Sequence, residues 1–180
     1  MLPAIDQPIM DTAVFSKDRV YRYLLTRRVG VQDSTCLFIM LNPSTADETQ
    51  NDPTVTRCIR YARRWGFGKL EVCNIFAYRA TNPKELYTPH PSHWPSFMTT
   101  MYAFIVGPDN NDHITNAIHR ADRVVCAWGN HGELYGRGDE VREMVEDGGK
   151  YPMALKITKK NQPVHPLYQR GDAELIVWTG

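Results

Sequence analysis

Two asparagines stand where strand-like apolar runs of the sequence come to an end. Asn42 follows the continuous apolar run 36–41, and Pro43 then stops the strand by removing a backbone donor. Asn74 lies inside the run 72–76, where a buried amide without partners would cost about 1–3 kcal/mol. A carboxamide offers two hydrogen-bond donors and an acceptor. Both residues are therefore candidates to bind a small polar ligand, although each could instead hold a neighbouring loop.

Three further residues could complete a site with these amides. His165 lies in a loop stiffened by Pro163 and Pro166, and an imidazole can donate to a developing anion or simply pack. Trp128 and Gly129 end a third apolar run. Glycine lets a ligand approach the backbone, and tryptophan can stack on a flat ring, although it could equally belong to the core. The residue types favour recognition of a flat polar molecule.

Charged and polar residues near these positions extend the set. Arg57, Arg60 and Arg64 share one face of a predicted helix and are candidate phosphate contacts, although a solvated helix face would also carry them. The ligand-binding candidates after the first two strands are Pro43, Ser44, Phe76, Tyr78 and Arg79. No metal site is expected, because Pro91 separates His90 from His93 and no third ligand accompanies them. No cofactor is expected either, because the sequence has no glycine-rich phosphate loop.

The elements that must position these residues alternate between strand and helix. Apolar runs at 36–41, 70–76 and 123–128 predict buried strands, and Asp52 with Pro53 predicts the start of a helix. Short joins between strand, helix and strand favour parallel pairing. The sequence therefore predicts one α/β domain over residues 1–180, a three-layer sandwich with a mainly parallel central sheet. Residues 1–17 are expected to form an irregular arm, and residues 79–106 a long loop with one helical turn.

Composition narrows the class of protein without naming a ligand. The chain has 180 residues and a net charge of +1, so bulk electrostatics does not favour nucleic acid. Its longest apolar run is far below the roughly 20 residues that a membrane span needs. Its four cysteines form no paired motif and are expected to be reduced, buried thiols. We therefore expect a cytoplasmic protein without membrane contact, and the sequence does not identify protein partners.

Several short motifs together resemble a known family. Residues 41–47 read Leu-Asn-Pro-Ser-Thr-Ala-Asp, residues 51–54 read Asn-Asp-Pro-Thr, and residues 165–168 read His-Pro-Leu-Tyr. Residues 63–66, 74–81 and 127–129 continue the pattern. The match covers roughly residues 20–170 and resembles a bacterial and phage family that is known only as a domain of unknown function. This resemblance implies a family and supplies no activity.

The order of these motifs also resembles the uracil-DNA glycosylase superfamily. Asn42-Pro43 is similar to the first-strand motif of its mismatch-specific members, Asn74 to their base-reading asparagine, and His165-Pro166 to their late histidine loop. The chain departs from the superfamily pattern at Met40, Ser44 and Leu167. The resemblance implies a glycosylase-like fold and a pocket for a flipped nucleotide.

The roles that this resemblance implies are those of an N-glycosidic bond hydrolase. Asn42 would orient a water and His165 would stabilise the departing base. Asp47 or Asp52 could supply a base, although Asp52 is better explained as the helix cap. Asn74 would pair with the base edge, while Phe76, Tyr78 or Trp128 would stack on it. Two alternatives stay open: a noncatalytic binder of a nucleotide or modified base, such as a sensor or phage accessory protein, and an enzyme acting on free nucleotides or nucleosides.

Overall fold

A seven-stranded sheet forms the centre of the molecule in a computed structural model, which describes residues 11–88 and 100–180. The strands in chain order are β1 (Thr12–Phe15), β2 (Arg22–Arg28), β3 (Thr35–Met40), β4 (Lys69–Asn74), β5 (Arg123–Ala127), β6 (Pro152–Ala154) and β7 (Ile176–Val177). Their order across the sheet is β1-β2-β4-β3-β5-β6-β7. The four middle strands β4, β3, β5 and β6 are parallel, and the outer strands pair antiparallel. The predicted mixed α/β class with a mainly parallel centre is confirmed.

Helices cover both faces of this sheet. They are α1 (Pro53–Arg64), α2 (Met101–Val106), α3 (Asn110–Arg120) and α4 (Arg137–Asp147). Along β3, Phe38 packs in the same apolar cluster as Val55 of α1, whereas Ile39 packs with Ile114 of α3 and Val141 of α4. Because successive side chains of a strand point to opposite faces, these two clusters are the two sides of the sheet. Burial on both sides explains the uninterrupted apolar sequence of β3.

Helix α1 begins where the sequence predicts. The Asp52 carboxylate accepts a hydrogen bond from the Val55 amide at 2.8 Å, and Pro53 occupies the first helical position. Helix α1 crosses from β3 to β4, which pair in parallel with Met40 opposite Asn74. This register fixes the relative height of the two strand ends from which the candidate residues emerge.

Two predictions about the ends and loops need correction. Thr12–Phe15 form β1 rather than part of an irregular arm, because they pair antiparallel with β2. Residues 1–10 lie outside the described residues. Within the predicted long loop, Met101–Val106 form α2 and Pro83–Leu86 form a 3-10 turn with a capping box at Asn82. Residues 89–99, which include His90 and His93, lie outside the described residues as well.

The topology gathers several loops at one edge of the sheet. Strands β3, β4 and β5 are parallel, so the loops after Met40, Asn74 and Ala127 leave from the same edge. Strand β2 runs antiparallel to β4, so its first residue, Arg22, starts at that edge too. In open parallel sheets, ligands bind outside the carboxyl ends of the strands. The fold therefore places the candidate residues where a site is expected.

Candidate functional site

A cavity of about 640 Å³ opens at this edge of the sheet. That volume is within the range of small-molecule and cofactor sites. Five residues that the sequence singled out line it, namely Asn42, Ser44, Trp128, Gly129 and His165. Asp52, Arg22 and His131 line it too. Three separate loops therefore converge on one space, as the sequence predicts for the loops after β3 and β5 and for the late histidine loop.

Asn42 faces the cavity with its acceptor available. Its Nδ2 donates to the carbonyl oxygens of Ala80 at 2.7 Å and Pro43 at 3.2 Å, which joins the loops after β3 and β4. Its Oδ1 accepts no hydrogen bond within the described part of the chain. Asn42 thus has both roles considered from the sequence, because its donors brace a loop and its oxygen is open to a ligand.

Asp52 supplies a carboxylate to the same cavity. Its Oδ1 caps α1, whereas Oδ2 accepts no hydrogen bond within residues 11–88 and 100–180. The positive end of the α1 dipole stabilises a negative charge at this position. Asp52 is therefore an anchored carboxylate with one free oxygen, and such a group can orient a water and accept its proton.

His165 presents an imidazole to the same cavity. Its Nδ1 accepts a hydrogen bond from the Leu167 amide at 3.4 Å, so a neutral ring carries its proton on Nε2. Burial lowers the pKa of His165 below its ordinary value, and the charge on Asp52 opposes this shift. The ring is thus neutral at pH 7, with one N–H left to donate.

Arg22 places a buried positive charge at the base of the cavity. Its side chain is 2% exposed and donates to the Ala46 carbonyl at 2.9 Å and to Asn74 Oδ1 at 3.3 Å. Burial lowers the pKa of Arg22 to about 10, with Asp52 opposing the shift, so the guanidinium stays charged at pH 7. No carboxylate lies within 4 Å of it among the described residues.

Asn74 does not line the cavity, contrary to the expected convergence. It is 1% exposed, and its Oδ1 accepts from Arg22, while its Nδ2 has no partner among the described residues. The register explains this position, because Asn74 lies level with Met40 and two residues below Asn42. Arg22 therefore takes the place at the cavity that the sequence reading gave to Asn74.

Trp128 and Gly129 line the cavity in different ways. The Trp128 ring is 1% exposed, donates from Nε1 to Gln162 Oε1 at 2.9 Å and packs against Trp178. The ring is therefore part of the core, which is the structural alternative considered from the sequence. Gly129 has φ +72° and ψ −171°, a conformation that is essentially restricted to glycine. Its backbone turns the chain from β5 into the cavity wall.

The remaining candidates after β3 and β4 lie away from this cavity. Asp47 caps its own loop by accepting from the amides of Thr49 and Gln50, and hydrogen bonds hold its pKa below the usual range. Phe76 is fully buried in the core. Pro43 is buried, and its carbonyl accepts from the Ala80 amide, while Tyr78 and Arg79 line a second, smaller cavity.

The three helix arginines lie outside the cavity as well. Arg57 donates to the Gln169 carbonyl, and Arg64 donates to the Gly171 carbonyl and pairs with Glu174. Arg60 is exposed. Two of the three thus fasten the C-terminal segment to α1, which leaves a phosphate contact from this face a prediction.

The structure adds aromatic residues at the mouth that the sequence analysis did not select. Tyr168 is 79% exposed, lines the cavity and lies 5.8 Å from His165 between ring centroids. His131 lines the cavity as well, with Nδ1 3.1 Å from the Tyr87 hydroxyl. Tyr168 belongs to the His-Pro-Leu-Tyr motif, so the motif itself was the available signal. For His131, the sequence signal was weaker, because it was only the position of this residue in the loop after Trp128-Gly129.

The described residues hold neither a cluster of metal ligands nor a helix that could span a membrane. Within residues 11–88 and 100–180, no three His, Cys, Asp or Glu side chains are grouped closely enough to hold a metal ion. In the same part of the chain, no helix combines the length and the apolar character that crossing a membrane requires. All four cysteines are buried and unpaired, as predicted, and burial raises the pKa of Cys73 to about 12.

Fold and site together define an α/β protein with a cavity at the carboxyl edge of its parallel strands, into which a few polar side chains project. A family model described as a protein of unknown function, DUF1643, matches residues 22–167. This match covers most of the chain, so the protein belongs to that family, and the resemblance to an uncharacterised family is confirmed. No curated protein and no solved structure matches the chain.

Proposed function

We propose that the cavity binds the nucleobase of a nucleotide and that the protein hydrolyses the N-glycosidic bond of that nucleotide. The observation that carries the proposal is the placement of Asn42, Asp52 and His165 around one cavity of about 640 Å³. Asp52 supplies a base, His165 a neutral donor and Asn42 an acceptor. The resemblance to the uracil-DNA glycosylase superfamily in the Asn42 and His165 motifs supports the same chemistry.

In the proposed reaction, Asp52 acts on the attacking water and His165 acts on the departing base. Asp52 Oδ2 accepts a proton from a water whose oxygen bonds to the anomeric carbon of the sugar. The carbon–nitrogen bond breaks, and the base leaves with the electron pair. His165 donates from Nε2 to the departing base and stabilises its negative charge. The buried charge of Arg22 favours the same anion, because it has no carboxylate partner within 4 Å among the described residues.

Recognition of the base uses groups other than the buried Asn74. Asn42 Oδ1 accepts from an N–H of the base edge, and the exposed ring of Tyr168 offers a stacking surface at the mouth. Trp128 contributes no free face, because its ring is buried and in contact with Trp178. An oxygen acceptor of this kind favours bases that carry a ring N–H, such as uracil and hypoxanthine.

The test is base release from oligonucleotides that carry uracil, hypoxanthine or 5-hydroxymethyluracil, with free deoxyuridine and inosine assayed in parallel. We expect abasic sites from at least one oligonucleotide. Asp52→Asn keeps the helix cap and should lower the release rate at least about 100-fold. The same change at Asp47 should leave it intact, because that carboxylate caps its own loop outside the cavity.

The same assay separates the competing functions. Saturable binding of these probes without release of base would support a noncatalytic binder. The hydrogen bonds from Asn42 Nδ2 to the Pro43 and Ala80 carbonyls already make that part of the cavity wall rigid. Release from free nucleosides alone would support an enzyme of nucleoside metabolism. Neither binding nor release with any probe would contradict the assignment of the cavity to nucleobases.

A further inference from the structure

A second cavity of about 360 Å³ adjoins the first. The two share a wall formed by Ser44, Thr45, Ala80 and Thr81. Arg79 and Arg19 line the second cavity but not the first. A ligand that fills the first cavity can therefore continue over this wall into the second without leaving the protein surface.

The shared wall is rich in unused hydrogen-bond donors. The backbone N–H groups of Ser44, Thr45 and Thr81 donate no hydrogen bond within the described part of the chain. Backbone N–H groups without a protein acceptor are available to hold oxyanions. The loops that carry them are held in place, because Arg22 donates to the Ala46 carbonyl and the Ala80 amide donates to the Pro43 carbonyl.

Arg79 adds a cation without a carboxylate partner. Its Nη1 donates to the Arg19 carbonyl at 3.2 Å, and its guanidinium lies 4.9 Å from the centre of the Phe15 ring. Its Nε is buried and has no partner within residues 11–88 and 100–180. No carboxylate lies within 4 Å of it among the residues that the structure describes. Arg19, by contrast, is paired with both oxygens of Glu48.

Two carboxylates also line this cavity and limit the charge it can accept. Asp18 accepts from the Ser16 hydroxyl and the Val20 amide, and Glu85 accepts from the Asn82 amide. A doubly charged phosphate monoester would be repelled by them, since like charges at short range are unfavourable. A phosphodiester carries one negative charge and suits one unpaired guanidinium with several N–H donors.

We propose that the second cavity binds the phosphodiester group adjoining the nucleotide whose base occupies the first cavity. This inference rests on the proposed function, and it specifies the ligand as a nucleotide within a strand. It also moves the phosphate contact from the α1 arginines to Arg79 and the Ser44–Thr45 wall.

The experiment measures binding of single-stranded oligonucleotides that carry one uracil or hypoxanthine. In matched probes, a neutral methylphosphonate replaces the phosphodiester on the 5′ or the 3′ side of that nucleotide. We expect the neutral linkage on one side to weaken binding to the wild-type protein about tenfold. Arg79→Gln should bind the charged probe about tenfold more weakly and show no further loss with the neutral one. Arg79→Lys should recover part of the difference, which excludes misfolding as its cause.

Arg123→Gln is the matched control. Arg123 is exposed at the start of β5, and the cavity lies beyond the other end of that strand. It should behave as the wild type does. Three results would overturn the inference. The methylphosphonate effect could be equal in the wild type and Arg79→Gln, it could be absent in the wild type, or no oligonucleotide could bind at all. Loss of the effect in Arg79→Gln with no preference for the base would instead support the phosphodiester site and contradict the proposed function. Binding of free nucleoside monophosphate as tight as that of the strand would overturn the choice of a diester.

Discussion

Asn42 and Asn74 leave neighbouring parallel strands, yet only Asn42 reaches the cavity. Met40 of β3 pairs with Asn74 of β4, so Asn42 lies two residues beyond the level of Asn74. Asn42 braces a loop and keeps its acceptor free, whereas Asn74 is sealed beneath Arg22. A difference of two residues along paired strands thus lets Asn42 meet a ligand, whereas Asn74 supports the floor of the site.

Asp52 should give the largest effect on activity, because it faces the cavity and caps α1 with different oxygens. Asp52→Ala is expected to lower base release at least about 100-fold and to cost about 1 kcal/mol of unfolding free energy. Asp52→Asn should restore most of the stability but none of the activity. Release rates and urea unfolding measure the two separately. Activity in the Asn variant close to wild type would remove Asp52 from the mechanism.

The two asparagines should differ in which property they control. Asn74→Ala leaves the Arg22 guanidinium without its Asn74 partner, so we expect a loss of about 2 kcal/mol in urea unfolding. Asn42→Ala removes partly buried hydrogen bonds and should cost about 1 kcal/mol, together with weaker ligand binding. The opposite order of the two unfolding losses would contradict the contrast between a sealed and an open amide.

The His165 side of the cavity should appear in the pH dependence of stability. Its pKa is lowered in the folded protein by burial, so protonation favours the unfolded state. The stability it contributes is present above the ordinary value of 6.5 and is lost as pH falls through the lowered pKa. His165→Gln should therefore show a shallower loss of stability below pH 6.5. His113, whose pKa is also lowered by burial, remains as background in both proteins. Identical pH profiles would show that His165 is not desolvated.

Arg60 should give the smallest effect. It is exposed on α1 and lies outside both cavities, so Arg60→Gln should change stability by less than about 0.5 kcal/mol and leave oligonucleotide binding unchanged. Arg79→Gln is the comparison. A binding loss in the Arg60 variant as large as in the Arg79 variant would return the phosphate contact to the helix face.

The sequence predicted the fold further than it predicted the site. The apolar runs, the Asp52-Pro53 helix start and the Pro43 stop are local signals, and the structure confirms the elements they indicate. The cavity is lined by Asn42 and Gly129, which lie two residues after their strands end, and by His165 in a stiff loop. Arg22 was missed because its position depends on β2 running antiparallel to β4, which no local pattern reveals. The same pairing places Asn74 under Arg22 and out of the cavity.

Side-chain amide NMR of the ¹⁵N-labelled protein tests the central claim most directly. The protein is titrated with a short single-stranded oligonucleotide that carries uracil or hypoxanthine. We predict saturable shifts of the Asn42 Nδ2–H and His165 ring signals, with the Asn74 Nδ2–H signals nearly unchanged, because Asn42 and His165 line the cavity and Asn74 does not. Shifts at Asn74 without shifts at Asn42 and His165, or no shifts at any of the three, would contradict it.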